Sequence, residues 1–237
     1  MGQALDYRAQ ADALKAKLGD QRWRLNNLYW ITDERGQKIK FRLNQAQEQL
    51  LDSMWYLNVI LKARQLGMTT FIQVFMLDRC LFNSNVRAGV IAHNKDDAAV
   101  FFRDKVKFAY DNLPEWLKSA LPAIKNDAGE LLLKNNSSLR IGTSMRSGTL
   151  QYLHVSEYGK ICRKYPEKAR EIRTGAFNAV HPGQFIFVES TAEGRDGGFY
   201  EMTKQARALL AGGKPLTNMD FKFHFFPWWQ DARYQRD

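Results

Sequence analysis

The stretch Lys62-Ala63-Arg64-Gln65-Leu66-Gly67-Met68-Thr69-Thr70 decides the fold. It stands between a β-like run, Val59 to Lys62, and a helical pattern, Thr69 to Leu81, which is the context of a phosphate-binding loop. Backbone N–H groups at a helix start bind phosphate oxygens, Gly67 permits close approach, and the Thr69 hydroxyl can reach Mg²⁺. Against G-x-x-x-x-G-K-[ST], Lys62 replaces the first glycine and Met68 replaces the lysine. A cation is still required at the phosphates, and Arg64 or Lys62 can supply it. The competing reading is a plain strand-to-helix turn with one glycine.

On either side of the loop, strand and helix patterns alternate. Helical spacing is read at Gln3–Leu18, Asn44–Tyr56, Lys95–Asn112, Pro166–Val180 and Phe199–Ala211. Strands are expected at Arg87–Ala92, Tyr152–Val155, Phe185–Glu189 and Phe221–Phe226, with a hairpin of Leu131–Lys134 and Ser138–Ile141. The segment Arg22–Arg42 reads as short strands around a turn at Asp33–Gly36. The stripe Tyr7, Ala11, Leu14 and Leu18 is expected to dock on the rest of the chain, with a partner as the alternative. Such alternation predicts an α/β fold, a mainly parallel sheet with helices on both faces. Residues 1–45 are read as a helix and lead-in, and 46–237 as the core.

Two strand ends carry further chemistry. Tyr152 to Ser156 runs into Glu157, a carboxylate positioned to polarise an attacking water, with Ser156 where an Asp ordinarily helps hold Mg²⁺. Phe185 to Glu189 exits into Ser190, Thr191 and Gly194, hydroxyls and a flexible turn suited to sensing a γ-phosphate. Each has a plainer reading, a solvated terminus or an ordinary strand-to-loop exit.

Composition narrows the partners. With 35 Lys and Arg against 25 Asp and Glu in 237 residues, the formal charge of +10 favours a polyanion. Lys160, Arg163, Lys164, Lys168, Arg170 and Arg173 crowd the segment after Glu157, offset only by Glu167 and Glu171. That is either a contact for DNA phosphates or a solvated helix face. No apolar run approaches the roughly 18 residues of a membrane span, and no signal peptide is read. Cys80 and Cys162 have no zinc-like spacing and read as reduced thiols.

Together these residues resemble the N-terminal ATPase domain of the tailed-bacteriophage terminase large subunit. Ala63 to Thr70 departs from that family's A/S-R-Q-L-G-K-T-T loop only at Met68. The resemblance implies a RecA-like P-loop ATPase with ATP and Mg²⁺ as ligands, the loop Lys62 to Thr70 on the phosphates, and Thr69 and Glu157 toward the metal. It further implies Arg64 as first choice for the phosphate cation, Glu157 as catalytic carboxylate, and Ser190, Thr191 and Gly194 as coupling motif. Gln47, better than Gln45, matches the adenine-reading glutamine, and Arg146 matches an arginine acting in trans. The implied function is a motor hydrolysing ATP to drive double-stranded DNA into a procapsid in the host bacterial cytoplasm. DNA contact would fall on Lys160, Arg163, Lys164, Lys168 and Arg170. Expected partners are the portal protein, the small terminase subunit and further copies in a ring, the domain alone being a possible monomer. The family's nuclease domain has no counterpart in these residues, so no DNA cutting is expected. A helicase would need a second RecA-like domain, whereas a non-catalytic nucleotide- or DNA-binding scaffold would tolerate the missing loop lysine and the missing Asp.

Overall fold

The computed structural model describes residues 2–145 and 148–231. An N-terminal helix α1 (Gly2–Gly19) leads to α2 (Gln21–Asn27), the hairpin β1 (Trp30–Thr32) and β2 (Lys38–Lys40), and α3 (Gln45–Ser53). Then come β3 (Leu57–Lys62), α4 (Met68–Phe82), β4 (Arg87–Ile91) and α5 (Lys95–Phe101), which passes through a π-helical stretch, Phe102–Lys107, into α6 (Phe108–Asp111). Next are α7 (Glu115–Ala120), β5 (Ala123–Asn126), β6 (Glu130–Leu133), β7 (Ser138–Gly142) and β8 (Leu150–Ser156). Last are α8 (Tyr158–Lys164), α9 (Pro166–Glu171), β9 (Val180–Ser190), α10 (Gly197–Ala211) and β10 (Phe221–Phe226).

The main sheet runs β10-β3-β9-β8-β4-β7-β6-β5, parallel from β10 through β7 and antiparallel across β6 and β5. Its central strands are near-continuous apolar runs because both faces are covered. One face packs on α4 and the chain from α5 to α6, through Phe71, Phe75, Phe102 and Val106; the other packs on α8, α9 and α10, through Tyr158, Ala169 and Phe199. This is the α/β arrangement, a mainly parallel sheet with helices on both faces, expected from the alternation. Strand β9 lies between β3 and β8, although it follows both in sequence. The carboxyl ends of all three therefore open into one crevice, the usual ligand position of such sheets.

Three local readings change. Arg22 begins no strand: Asp20 accepts a hydrogen bond from the Arg22 N–H and starts α2 instead. The α1 stripe does not dock as a whole, since side chains 9–17 are exposed and only Leu18 packs on the core. Of its described positions, Ala11 and Leu14 stay exposed, one leucine and one alanine offering too little apolar area to dock. Helix α4, whose Thr69–Leu81 pattern reads as amphipathic, is buried nearly all round, with Phe71, Ile72, Val74, Met76 and Leu77 all in the core, so it is a central helix and not a half-exposed one.

The lead-in joins that core. Leu25, Leu28, Tyr29 and Phe41 share a cluster with Phe71 and Phe75. Asp78 of α4 accepts a forked pair from Arg24 at 2.9 and 2.7 Å and the Tyr29 hydroxyl at 2.7 Å. A buried charge held this way is strongly position-specific, and it ties the hairpin to the helix that starts at the loop. Among the described residues no helix is long and apolar enough to cross a membrane.

Candidate active site

Between β3 and α4 the loop turns on Gln65 and Gly67, both at positive φ (57° and 69°). Only glycine adopts this without penalty, and a Cβ at Gly67 would lie 2.7 Å from Gln47 Nε2. Asn44 and Gln47 form a reciprocal cap at the start of α3, and both reach the loop. Asn44 Nδ2 donates to Leu66 O at 3.1 Å and Gln47 Nε2 to Gly67 O at 3.0 Å. Gln47 Oε1 accepts from the Asn44 N–H, so one end of this buried amide holds the loop and the other the start of α3. Gln45 instead lines a cavity of about 400 Å³ with Leu66, Phe226, Pro227 and Gln230.

A second cavity, about 700 Å³, covers the start of α4. Lys62, Gln65 to Thr70 and Lys105 line it, with Arg35 and Arg42 from the hairpin side. Met68, in the loop lysine's place, is turned into the core and 1% exposed, so that position sends no charge into the cavity. Arg64 is exposed and stands outside that lining, whereas Lys62 points inward. Lys62 Nζ donates to Glu157 Oε1 at 2.8 Å and lies 3.1 Å from Glu189 Oε2. Burial works to discharge this ammonium, and the two carboxylates outweigh it, so its pKa is raised.

Glu157 ends β8 in the left-handed region, φ 52° and ψ 47°, a conformation that costs a non-glycine residue roughly 1–3 kcal/mol. Its other oxygen, Oε2, has the Ser190 and Thr191 hydroxyls at 3.5 Å. These two hydroxyls, expected from the sequence to sense a γ-phosphate, thus lie beside the Glu157 carboxylate. Gly194 sits beyond them at φ 110°.

Two groups were not singled out from the sequence. Glu189, fully buried at the end of β9, accepts from Thr69 Oγ1 at 2.7 Å and Ser156 Oγ at 2.8 Å, both on Oε1. His154 Nε2 lies 3.4 Å from the same oxygen. Burial pushes the Glu189 carboxyl up, but Lys62, His154 and Thr69 outweigh it and hold it below the ordinary carboxylate range. Lys105, from the π-helical stretch, donates to Thr70 Oγ1 at 2.9 Å, and burial lowers its pKa. Insertions of this kind often accompany functional positions. The only signal for Glu189 was a Glu closing an otherwise apolar strand, and Lys105 had none.

Among the described residues no group of three or more His, Cys, Asp and Glu side chains forms a metal cage. The donors present are a hydroxyl, Thr69, and the carboxylates Glu157 and Glu189. Such hard oxygens suit Mg²⁺ arriving with a phosphate ligand and its own waters.

The basic segment divides. Lys168 Nζ donates to Ala92 O and His93 O at 3.0 and 2.9 Å, so it clamps the exit of β4 and is not an outward cation. Arg163, Lys164 and Arg170 are exposed and Lys160 half-buried. Arg146 lies outside the described residues.

No protein-family model matches the sequence. Solved structures do match. The ATPase domain of the Thermus phage P74-26 large terminase aligns with a TM-score of 0.55 and 17% identity, over 80% of this chain and 83% of that one. The HK97 bacteriophage large terminase aligns with a TM-score of 0.58 and 17% identity, over 85% of this chain and 42% of that one. The chain therefore has the fold of phage large-terminase ATPase domains and spans less than half the length of the HK97 protein.

Proposed function

We propose that this chain is the ATPase motor domain of a phage DNA-packaging terminase, hydrolysing ATP to drive double-stranded DNA into a procapsid. The observation that carries this reading is the cluster at the ends of β3, β9 and β8, in which Lys62 bridges Glu157 and Glu189 and Glu189 takes the hydroxyl of Thr69 at the start of α4. The triphosphate is assigned to the 700 Å³ cavity, against the first amides of α4. Lys62 replaces Arg64 as the preferred phosphate cation because it alone of the two lines that cavity, and Lys105 adds a second charge. Thr69 would hold Mg²⁺, which supplies charge neutralisation at the β- and γ-phosphates. Glu157 orients and polarises the attacking water, and Ser190 and Thr191 sense its state. With Gln47 engaged by the loop, Gln45 is assigned to the base, in the apolar cavity against Leu66 and Phe226.

Arg146 completes a neighbour's site in a ring, and Lys160, Arg163, Lys164 and Arg170 contact DNA phosphates. The portal protein and small subunit are the further partners, in the host bacterial cytoplasm. Turnover of ATP by wild type and by Glu157→Gln tests the reading. Hydrolysis that falls at least a hundredfold while nucleotide still binds supports it, that being the scale of a lost general base. Wild-type binding without any turnover, including with DNA and in assembled rings, would leave the non-catalytic scaffold.

A further inference from the structure

Resting on that ATPase reading, we propose that Glu189 is the metal-holding carboxylate of this site, carrying from β9 the function that Ser156 on β8 cannot perform. The two residues are register partners on adjacent parallel strands, so they stand at the same height at the crevice. Neighbouring strands are about 4.8 Å apart, and a glutamate side chain is long enough to cross that gap where a serine is not. Glu189 does cross it, because one oxygen takes hydrogen bonds from both Ser156 and Thr69. An acid beside the loop hydroxyl is the arrangement a phosphate-bound Mg²⁺ requires.

Glu189 is a fully buried charge, held by Thr69 and Ser156 on one oxygen and by Lys62 on the other. A fully buried ion pair is at best weakly stabilising, and apolar residues of like volume commonly replace one with gain. Glu189 is fully buried, and its Oε2 has Lys62 at 3.1 Å but no aligned hydrogen-bond donor. Its Oε2 is held by the ammonium alone, and its Oε1 by the loop hydroxyl that the ATPase reading assigns to Mg²⁺. The two departures of the sequence then belong together. The loop lysine is absent at Met68 and the acid is absent at Ser156, and their substitutes, Lys62 and Glu189, are ion-paired on neighbouring strands.

The test compares the affinity for a fluorescent ATP analogue in Mg²⁺ and in EDTA. Wild type is expected to bind more tightly with Mg²⁺. Glu189→Gln keeps the shape and the acceptor for Thr69 but loses the charge. It is expected to bind at least as well as wild type in EDTA, with less repulsion of the phosphates, and to lose most of the Mg²⁺ enhancement. The pair Glu189→Ser with Ser156→Asp is expected to regain it. An undiminished Mg²⁺ enhancement in folded Glu189→Gln overturns the proposal. A measurement on wild type alone guards against a variant that does not fold. Fe²⁺ with ascorbate and peroxide, in place of Mg²⁺ and with nucleotide bound, is expected to cleave the backbone beside Glu189 as well as beside Thr69. Cleavage at Thr69 without Glu189 overturns the proposal. A wild-type chain that binds no nucleotide in either buffer overturns the ATPase reading itself, and this proposal with it.

Discussion

Lys62 and Glu157 are joined at 2.8 Å across the ends of β3 and β8 although β9 runs between those strands. With Glu189 at 3.1 Å from the same ammonium, the cluster holds one positive and two negative groups. Removing Glu157 leaves a balanced pair, while removing Lys62 leaves two carboxylates and no counter-ion. Lys62→Met is therefore expected to destabilise by about 3–5 kcal/mol, the scale of a buried charge stripped of its partner. Glu157→Gln is expected to stay within about 1 kcal/mol of wild type, because its side chain is partly solvated. Urea unfolding measures both, and equal losses would contradict the asymmetry.

Lys105 lines the same cavity as Lys62, with its ammonium on Thr70. A cation there adds to the charge-assisted contacts of the terminal phosphate more than to those of a diphosphate. Lys105→Met is expected to weaken ATP about tenfold and ADP much less, the equivalent of one such hydrogen bond. Equilibrium titration with both nucleotides checks it, and equal weakening would place Lys105 away from the γ-phosphate.

Gly67 is constrained twice, by its φ of 69° and by Gln47 Nε2 at 2.7 Å from where a Cβ would sit. Gly67→Ala is expected to destabilise by about 1–2 kcal/mol from backbone strain alone, plus the displacement of Gln47. In a Gln47→Ala background the second part disappears, so the same change should cost less there. A double-mutant cycle on unfolding free energy reads the difference. Additive effects would mean that Gln47 yields freely.

What the sequence displays is local. The alternation of periods marks the strands, Gly67 before a helical pattern marks the loop, and a carboxylate at a strand end marks Glu157. Strand order is not local, because nothing between residues 150 and 190 states that β9 inserts between β3 and β8. Glu189 reaches Thr69 only through that insertion, across 120 positions. The choice between Gln45 and Gln47 was legible in part. Asn44-x-x-Gln47 is a capping-box spacing, which commits Gln47 to the helix start. Lys168 was read outward because a run of cations on a short helix says nothing of which one faces the carbonyls of another strand's exit.

The exposed part of the basic segment carries a salt prediction. Phosphate contacts release counterions, so DNA affinity is expected to fall linearly with salt on logarithmic axes, independent of sequence. Replacing Arg163, Lys164 and Arg170 by Gln should flatten the slope by about one unit per contact removed. Lys168→Gln should leave the slope alone and lower stability, since its ammonium serves Ala92 and His93. A slope that follows Lys168 and ignores the other three would move the clamp to the DNA side.

His224 on β10 sets an expected acid limit to stability. It is 5% exposed, its Nε2 lies 3.0 Å from Asn58 Oδ1, and its Nδ1 lies 3.4 Å from Ser53 Oγ. The Asn58 amide donates to Trp55 O and Ile186 O, which leaves Oδ1 as acceptor and makes the imidazole the donor at Nε2. Burial, with Lys222 nearby, pushes this imidazole down to about 4. In the unfolded chain it titrates near 6.5. Between these values the unfolded chain binds a proton that the folded chain refuses, so stability is full above about pH 6.5 and falls as the pH drops toward 4. The slope is about 1.4 kcal/mol per pH unit and the total on the order of 3 kcal/mol. Glu189 titrates in a lower window, because its depressed carboxyl matters only below the ordinary carboxylate range. His93, also lowered by burial, contributes with the same sign. Urea midpoints from pH 7 to 4.5 should therefore decline in wild type and decline less in His224→Gln, which keeps a donor for Asn58 without a titrating ring. Parallel declines in the two proteins would show that His224 takes up its proton without opening the edge of the sheet.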